Sequence, residues 1–498
     1  MTMYTKKILQ SSLFILFLIP GLGHSRDVKK VHYYMGGGGE PSGETTIFDG
    51  NAKAMSSFID KSSNWETSVS FNGGHSETEE IIKNKIPKAK NLGDFTEERY
   101  YSMVKEMIRK IESGELQAGD QLMVNIDTHG EKRSKGSETT HHIRFTKATS
   151  KNSKNWRSLG TLGSLDSMKK LVELAGDKGV KLAIIDASCF SGNLLNIKND
   201  KVCLISATGT DQYGYSGTNS ILSARSTFSG KLISNYKKGT NLEDAFLRAR
   251  ESSNLPDFPM ISTPEGRAVN DLIYKMISPY LTYSYENLHD FKEMYATNSS
   301  EFENQVCQFN QNQKQLMDLL NQYEKLSSVS EEMNKKEFSK LRTALEDYRN
   351  YQLNYEKTLR AGFEVSAEIK EIILKVHPQQ EKMLSTYKVV DFLQNDFDYP
   401  ISRYQELADT HTVKESKDYW TQMLIDAKEE KAVADVIKAS LSESSRQKLK
   451  AMDEAYGKLG ATRDLAARVG TEARKLYMVL YKQEMKKTAN NPCRDFVL

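Results

Sequence analysis

The chain has 498 residues, 38% of them hydrophobic, and a formal net charge of only +3, with Lys and Arg interleaved among Asp and Glu throughout. So small a charge argues against a nucleic-acid binder, and four cysteines in this length exclude a disulfide scaffold. A hydrophobic core must hold the protein together, and the apolar content suffices for two or three domains.

Lys6 and Lys7 precede the apolar run "ILQSSLFILFLIP", and small residues follow at Gly21, Gly23 and Ser25. A positive segment, an apolar segment and a small-residue cleavage region predict a signal peptide over residues 1–25. The mature chain then begins near His24 or Arg26, in the periplasm or outside the cell. The apolar run is about a dozen residues, short of the roughly 20 that a spanning helix needs. No later segment is long and apolar enough to span.

Residues 26–280 alternate β-rich runs with helical stretches. The runs are "VHYYM", "TSVSFN", "QLMVNIDT", "KLAIIDAS" and "VCLISAT". Such alternation predicts an α/β domain with a mainly parallel sheet flanked by helices. After the first run, "GGGGEPSGET" has Gly38 and Gly43 at phosphate-loop separation, but Glu44 stands where the loop needs lysine and would repel phosphate. The segment reads as a loop at the sheet edge. "DFTEERYYSMVKEMIRKIESG" predicts a helix with a capping box from Asp94 to Glu97, an apolar face of Met103, Met107 and Ile111, and a stop near Gly114. "SLDSMKKLVELAGDKG" predicts another, capped by Ser164 or Asp166 and stopped by Gly176. Between the two, His141 and His142 have no Cys or carboxylate at ligand spacing and read as solvated loop residues, so no metal site is expected. "GYSG" around Ser216 lacks the last glycine of a serine nucleophile elbow, because Thr218 follows Gly217.

Residues 281–498 lose the strands and become poor in Gly and Pro. Phe302, Val306, Phe309, Leu316, Leu320 and Tyr323 follow three-four spacing, as do Phe338, Leu341, Leu345, Tyr348, Tyr355 and Leu359. A C-terminal domain of long packed helices is expected, interrupted at Pro378 and Pro400, with no chemistry of its own.

Cys189 stands just past the apolar run "LAIID". A thiol is only a few per cent thiolate near neutrality, and an adjacent imidazole raises that fraction and later protonates a leaving amine. His129, at the end of "QLMVNIDT", is followed by Gly130, which permits close approach and frees a backbone N–H for an oxyanion. If the two strands are parallel neighbours, His129 and Cys189 emerge together as a dyad, with the N–H groups of Gly130 and Cys189 as oxyanion donors. Such chemistry needs no metal or organic cofactor, and its partners are protein or peptide substrates. With Cys189 required as a thiol and Cys203 read as strand filling, elimination pairs Cys307 with Cys493 across the helical domain.

"NIDTHGE" and "AIIDASCFSGN" resemble the His-Gly and Cys motifs of the caspase-like cysteine peptidases, the group of caspases, metacaspases, legumains, gingipains and clostripain. "LISATGTDQYGYSG" resembles the next strand and loop of that group, where substrate side chains are received. The likeness covers roughly residues 29–280, about half the chain. It implies a caspase-like fold, with Cys189 and His129 catalytic and with Ser206, Asp186 and Asp211 at the substrate. In relatives that cut after Arg, Lys or Asn an acid commonly stands two before the cysteine. Here Ala187 holds that place and Asp186 lies three before, so Asp211 is the substitute candidate for a pocket that takes a basic side chain. The expected function is an exported cysteine endopeptidase, with restraint by its helical domain as in the legumain layout compatible with that activity. The alternative is an inactive protein of the same fold that binds partners through its helices.

Overall fold

The computed structural model describes residues 26–37, 47–62, 64–71, 75–135, 138–146, 162–197, 199–210, 212, 214, 227–252, 258–267, 269–270, 273, 332–376, 390, 392–394, 396–458, 460–484 and 491–498, with scattered positions from 300 to 321. The expected signal peptide, the loop of Gly38, Gly43 and Glu44, and the residues Asp211 and Ser216 lie outside them. Among the described residues no helix is long and apolar enough to cross a membrane.

The α/β unit is built on a seven-stranded sheet. Its strands are β1 Lys30–Gly36, β2 Trp65–Phe71, β3 Lys90–Asn91, β4 Gln121–Asp127, β8 Lys181–Asp186, β9 Cys203–Ser206 and β10 Met260–Ile261, in spatial order β10-β9-β8-β4-β1-β2-β3. Every pairing is parallel except β9 with the edge strand β10. All seven residues of β4 are buried, the burial of a parallel strand covered on both faces, including the polar Gln121, Asn125 and Asp127. From β1 the chain builds outward to β2 and β3, then returns to place β4 on the other side of β1. That reversal opens a crevice at the carboxyl ends of β1 and β4, where ligand sites of open α/β sheets gather.

Helices α1 Asp49–Lys61, α2 Ser76–Lys85, α3 Glu97–Glu112, α4 Met168–Lys178, α5 Phe228–Ser234 and α6 Leu242–Ser252 cover the sheet. The α3 cap is Thr96, whose hydroxyl accepts the Arg99 N–H, two residues beyond the expected Asp94. A short 3₁₀ turn capped by Ser164 leads into α4, which ends at Gly179 in the left-handed region rather than at Gly176. Gly176 is instead buried within the helix, where an added Cβ would lie 2.8 Å from the Asn199 side chain.

The segment after His129, read as loop, is a second, antiparallel sheet of β5 Gly130–Lys135, β6 Glu138–Arg144 and β7 Leu162–Ser164. His141, Ile143 and Phe145 face inward at a period of two.

The C-terminal helices are α7 Glu332–Glu364, α8 Ser366–Val376, α9 Asp398–Thr410, α10 Lys414–Ser440, α11 Glu443–Gly457 and α12 Gly460–Glu484. They have two cores. Leu341, Leu345 and Tyr348 of α7 meet Leu476 and Leu480 of α12 in a core continuous with the α/β unit. Tyr355, Leu359, Ile369, Ile437 and Met452 form the second. At the junction the buried Arg250 guanidinium lies 3.6 Å from the centre of the Tyr477 ring and 4.4 Å from that of Phe258.

The bridge expected between Cys307 and Cys493 is not formed. Cys493 is joined to Cys203, and Cys307 is an exposed thiol. Burial of Cys203 in β9 was no bar, because the tail reaches the strand from below. Lys30 and Lys181, at the starts of β1 and β8, donate to the carbonyls of Val497 and Asp495 at 2.9 and 3.0 Å. Phe496 and Leu498 enter the α/β core, and Arg494 and Asn491 both contact the buried Glu243 at 2.7 Å. The tail therefore clasps the amino ends of the strands, opposite the edge that carries His129 and Cys189. For a bridge spanning 290 residues the chain-entropy model gives roughly 5–6 kcal/mol as an upper figure. Reduction should lower the urea midpoint markedly, and mass mapping of a non-reduced digest should link Cys203 to Cys493. An unchanged midpoint would show that the tail's other contacts suffice.

His32, inside β1, is fully buried with Nε2 3.1 Å from Asn125 Oδ1. Desolvation lowers its pKa from 6.5 to about 3, only partly opposed by the Asn125 hydrogen bond. The unfolded chain therefore binds the proton more readily, so His32 adds stability above pH 6.5 that is lost as the pH falls toward 3. His32→Gln cannot take up that proton and should flatten the urea midpoint across this window. An unaltered slope would locate acid sensitivity elsewhere.

Candidate active site

His129 follows β4 by two residues at the junction between the sheets. Its carbonyl accepts the Arg144 N–H at 2.9 Å, and the Thr128 hydroxyl donates to the Arg144 carbonyl at 2.9 Å, so β6 fixes this exit from both sides. The imidazole meets the edge of Phe48 at 5.2 Å between ring centres. Since His129 already bonds Arg144, the alternation of an antiparallel ladder puts the next pair, Gly130 and Ile143, in the non-hydrogen-bonded position. The Gly130 N–H thus points away from β6.

Cys189 lies three residues past β8. The parallel register pairs Ile126 with Asp186 and continues in the 2.8 Å bond from the Ala187 N–H to the Ile126 carbonyl. Counted onward, His129 stands level with Cys189 and Asp127 with Ala187. Gly130 confirms the closeness of the two chains: a Cβ there would sit 2.1 Å from the Cys189 carbonyl oxygen and 2.9 Å from its nitrogen. Only glycine fits. The Cys189 sulfur also accepts the Gly214 N–H at 3.3 Å.

The turn after the cysteine is strained. Phe190 has φ +60°, the one non-glycine residue with positive φ among those described, at a cost of about 1–2 kcal/mol. Its N–H donates to the Gln212 carbonyl at 2.7 Å. Ser191 Oγ accepts the N–H groups of Ala207 and Thr208 at 3.1 and 3.2 Å, and the Asn193 amide donates to the Thr210 carbonyl at 2.7 Å. The Ser-Gly-Asn sequence thereby stitches the cysteine loop to the loop after β9. Gly192 is needed for that contact, because a Cβ would come 2.6 Å from the Gly209 backbone.

Two residues expected at the substrate are internal. Ser206 is fully buried and donates to the Thr208 carbonyl at 3.0 Å. Asp186 is also fully buried, its Oδ1 accepting the Ser188 N–H at 2.9 Å and hydroxyl at 2.6 Å and its Oδ2 lying 2.8 Å from His141 Nε2. The reading of His141 as a solvated loop residue is therefore corrected: it is buried in β6, with Nε2 also 3.0 Å from Ser188 Oγ. Beneath the two strand ends lies a small cavity lined by Asp127, Ala187, Ala207, Phe228 and Ser229. Asp127 there accepts hydrogen bonds from Tyr34 and Asn51, each at 3.2 Å. No group of three or more His, Cys, Asp or Glu suited to a metal occurs among the described residues.

No family model matches the chain, and no curated protein sequence does. Among solved structures it matches protein GSU0716 from Geobacter sulfurreducens at 12% identity, covering 44% of this chain and 88% of that one with a TM-score of 0.26.

Proposed function

We propose that the protein is an exported cysteine endopeptidase of caspase-like fold. The observation that carries this reading is the packing of Gly130 against the Cys189 backbone, with His129 two residues and Cys189 three residues past the carboxyl ends of the adjacent parallel strands β4 and β8. In the reaction, Cys189 Sγ attacks the scissile carbonyl carbon and its proton passes to His129. The N–H groups of Gly130 and Cys189 hold the oxyanion. As the C–N bond breaks, His129 returns the proton to the amine, and water then releases the acyl group from the thioester.

The carboxylate absent at Ala187 is not replaced by Asp127 one strand away, because Asp127 is buried, accepts from Tyr34 and Asn51, and borders a cavity of only about 10 Å³, too small for a Lys or Arg side chain. The preference for a basic side chain at the cut therefore rests on Asp211. Restraint by the helices remains part of the proposal, but the tail 491–498 serves as an anchor at the opposite edge. Incubating the purified mature protein with a diverse peptide library tests the reading. Cuts after Arg or Lys are expected; no cleavage at all would favour the binding-protein alternative, and cuts after apolar residues would remove the acidic-pocket part.

A further inference from the structure

The two N–H groups assigned to the oxyanion come from different sheets. Cys189 follows β8 of the parallel sheet, whereas Gly130 opens β5 of the antiparallel one. Their relative position depends on what holds the sheets together beside the site, and one buried polar contact does so directly. Asp186, the last residue of β8, faces His141 of β6, the strand that pairs with β5.

We propose that His141 is a positioning residue: through Asp186 and Ser188 it locks the cysteine loop to the β5–β6 hairpin and so sets the spacing of the Gly130 and Cys189 N–H groups. The role rests on the peptidase reading above. An ionised carboxylate only accepts, so His141 Nε2 carries the hydrogen directed at Asp186 Oδ2. Ser188 donates its hydroxyl hydrogen to Asp186 Oδ1 at 2.6 Å, and its oxygen, 3.0 Å from His141 Nε2, is left to share the one hydrogen on that nitrogen with Asp186 Oδ2. Asp186 thus receives Ser188 twice and His141 once, all three residues being buried. Cys189 is the next residue in the chain. His141 Nδ1 is buried with no hydrogen-bond partner among the described residues, so the ring is held through Nε2 alone.

The clamp predicts a specific kinetic signature. Misplacing a transition-state donor costs about 10²-fold in kcat, while substrate binding and the thiol itself are spared. His141→Leu should therefore lower kcat about 10²-fold with KM held within about threefold. Affinity for a peptidyl aldehyde built on the best library peptide should fall in step, because its adduct with Cys189 carries the same oxyanion. Alkylation of Cys189 by iodoacetamide forms no oxyanion and should keep its rate within about threefold. His141→Gln places an amide N–H near the Nε2 position and should recover most of the loss. Ser188→Ala removes the hydroxyl's bonds to Asp186 and His141 but keeps the His141–Asp186 bond, so it should show a smaller loss with the same split, and it serves if His141→Leu does not fold. A loss in KM, an equal loss in alkylation, no rescue by Gln, or an unchanged kcat in Ser188→Ala would each overturn the role while leaving peptidase activity in the unaltered protein. Absence of cleavage in the unaltered protein would instead overturn the peptidase reading on which the role depends.

Discussion

Cys189→Ala is expected to lower peptide cleavage to background while the melting temperature moves by no more than about 3 °C, and His129→Ala should do nearly the same. A residue that forms the covalent bond and one that carries its proton act as a unit, so the double variant should lose little more than either alone. Stability is spared because neither side chain fills the core. Cys189 is only partly buried, beyond the end of β8, and His129 stands in the turn after β4. Truncation there opens no large cavity, unlike the loss of a core residue. Cleavage retained in Cys189→Ala would remove the nucleophile, and a fall in activity matched by unfolding would assign these residues to structure instead.

Gly130→Ala should cost about 10²–10³-fold in kcat, although it adds one methyl group to a residue whose side chain does no chemistry. The methyl carbon would lie 2.1 Å from the Cys189 carbonyl oxygen and 2.9 Å from Ser188 Oγ, and these atoms belong to backbone and to a buried hydrogen-bond network. Neither can swing aside as the end of a flexible chain can. The strands must part, which costs about 1–3 kcal/mol of stability by overpacking and displaces both proposed oxyanion donors. Steady-state kinetics beside a thermal melt separates the two effects. Near-normal kcat in a folded Gly130→Ala protein would mean that the approach of Gly130 to Cys189 has no bearing on turnover.

Much of the α/β frame was legible because short runs rich in β-branched, aromatic and other apolar residues alternate with helical stretches. The five runs read from the sequence correspond to β1, β2, β4, β8 and β9. His129 and Cys189 were visible as chemically unusual residues at the ends of two of them. The β5–β6 hairpin was missed because its polar composition hid the alternation. His141, Ile143 and Phe145 point inward at every second position, and that period was the signal for both the strand and the buried histidine. Asp186 and Ser206 were placed at the substrate by the resemblance, which does not say which way a side chain faces, and here both are fully buried. The disulfide failed for a different reason: elimination treated strand burial as disqualifying Cys203, and nothing local in "NNPCRDFVL" tells that the tail returns to the foot of the sheet.

The nucleophile assignment is tested most directly by trapping the acyl-enzyme. The protein is mixed with an ester of its best-cleaved peptide, quenched in acid within the first turnover and digested for mass analysis. As the ester C–O bond breaks, the alcohol leaves with the proton held by His129, and the acyl group remains as a thioester on Cys189. The predicted result is one acyl mass on the peptide that contains Cys189, absent from Cys189→Ala and greatly reduced in His129→Ala. Ester turnover with the acyl group on another residue, or undiminished turnover in Cys189→Ala, would contradict it.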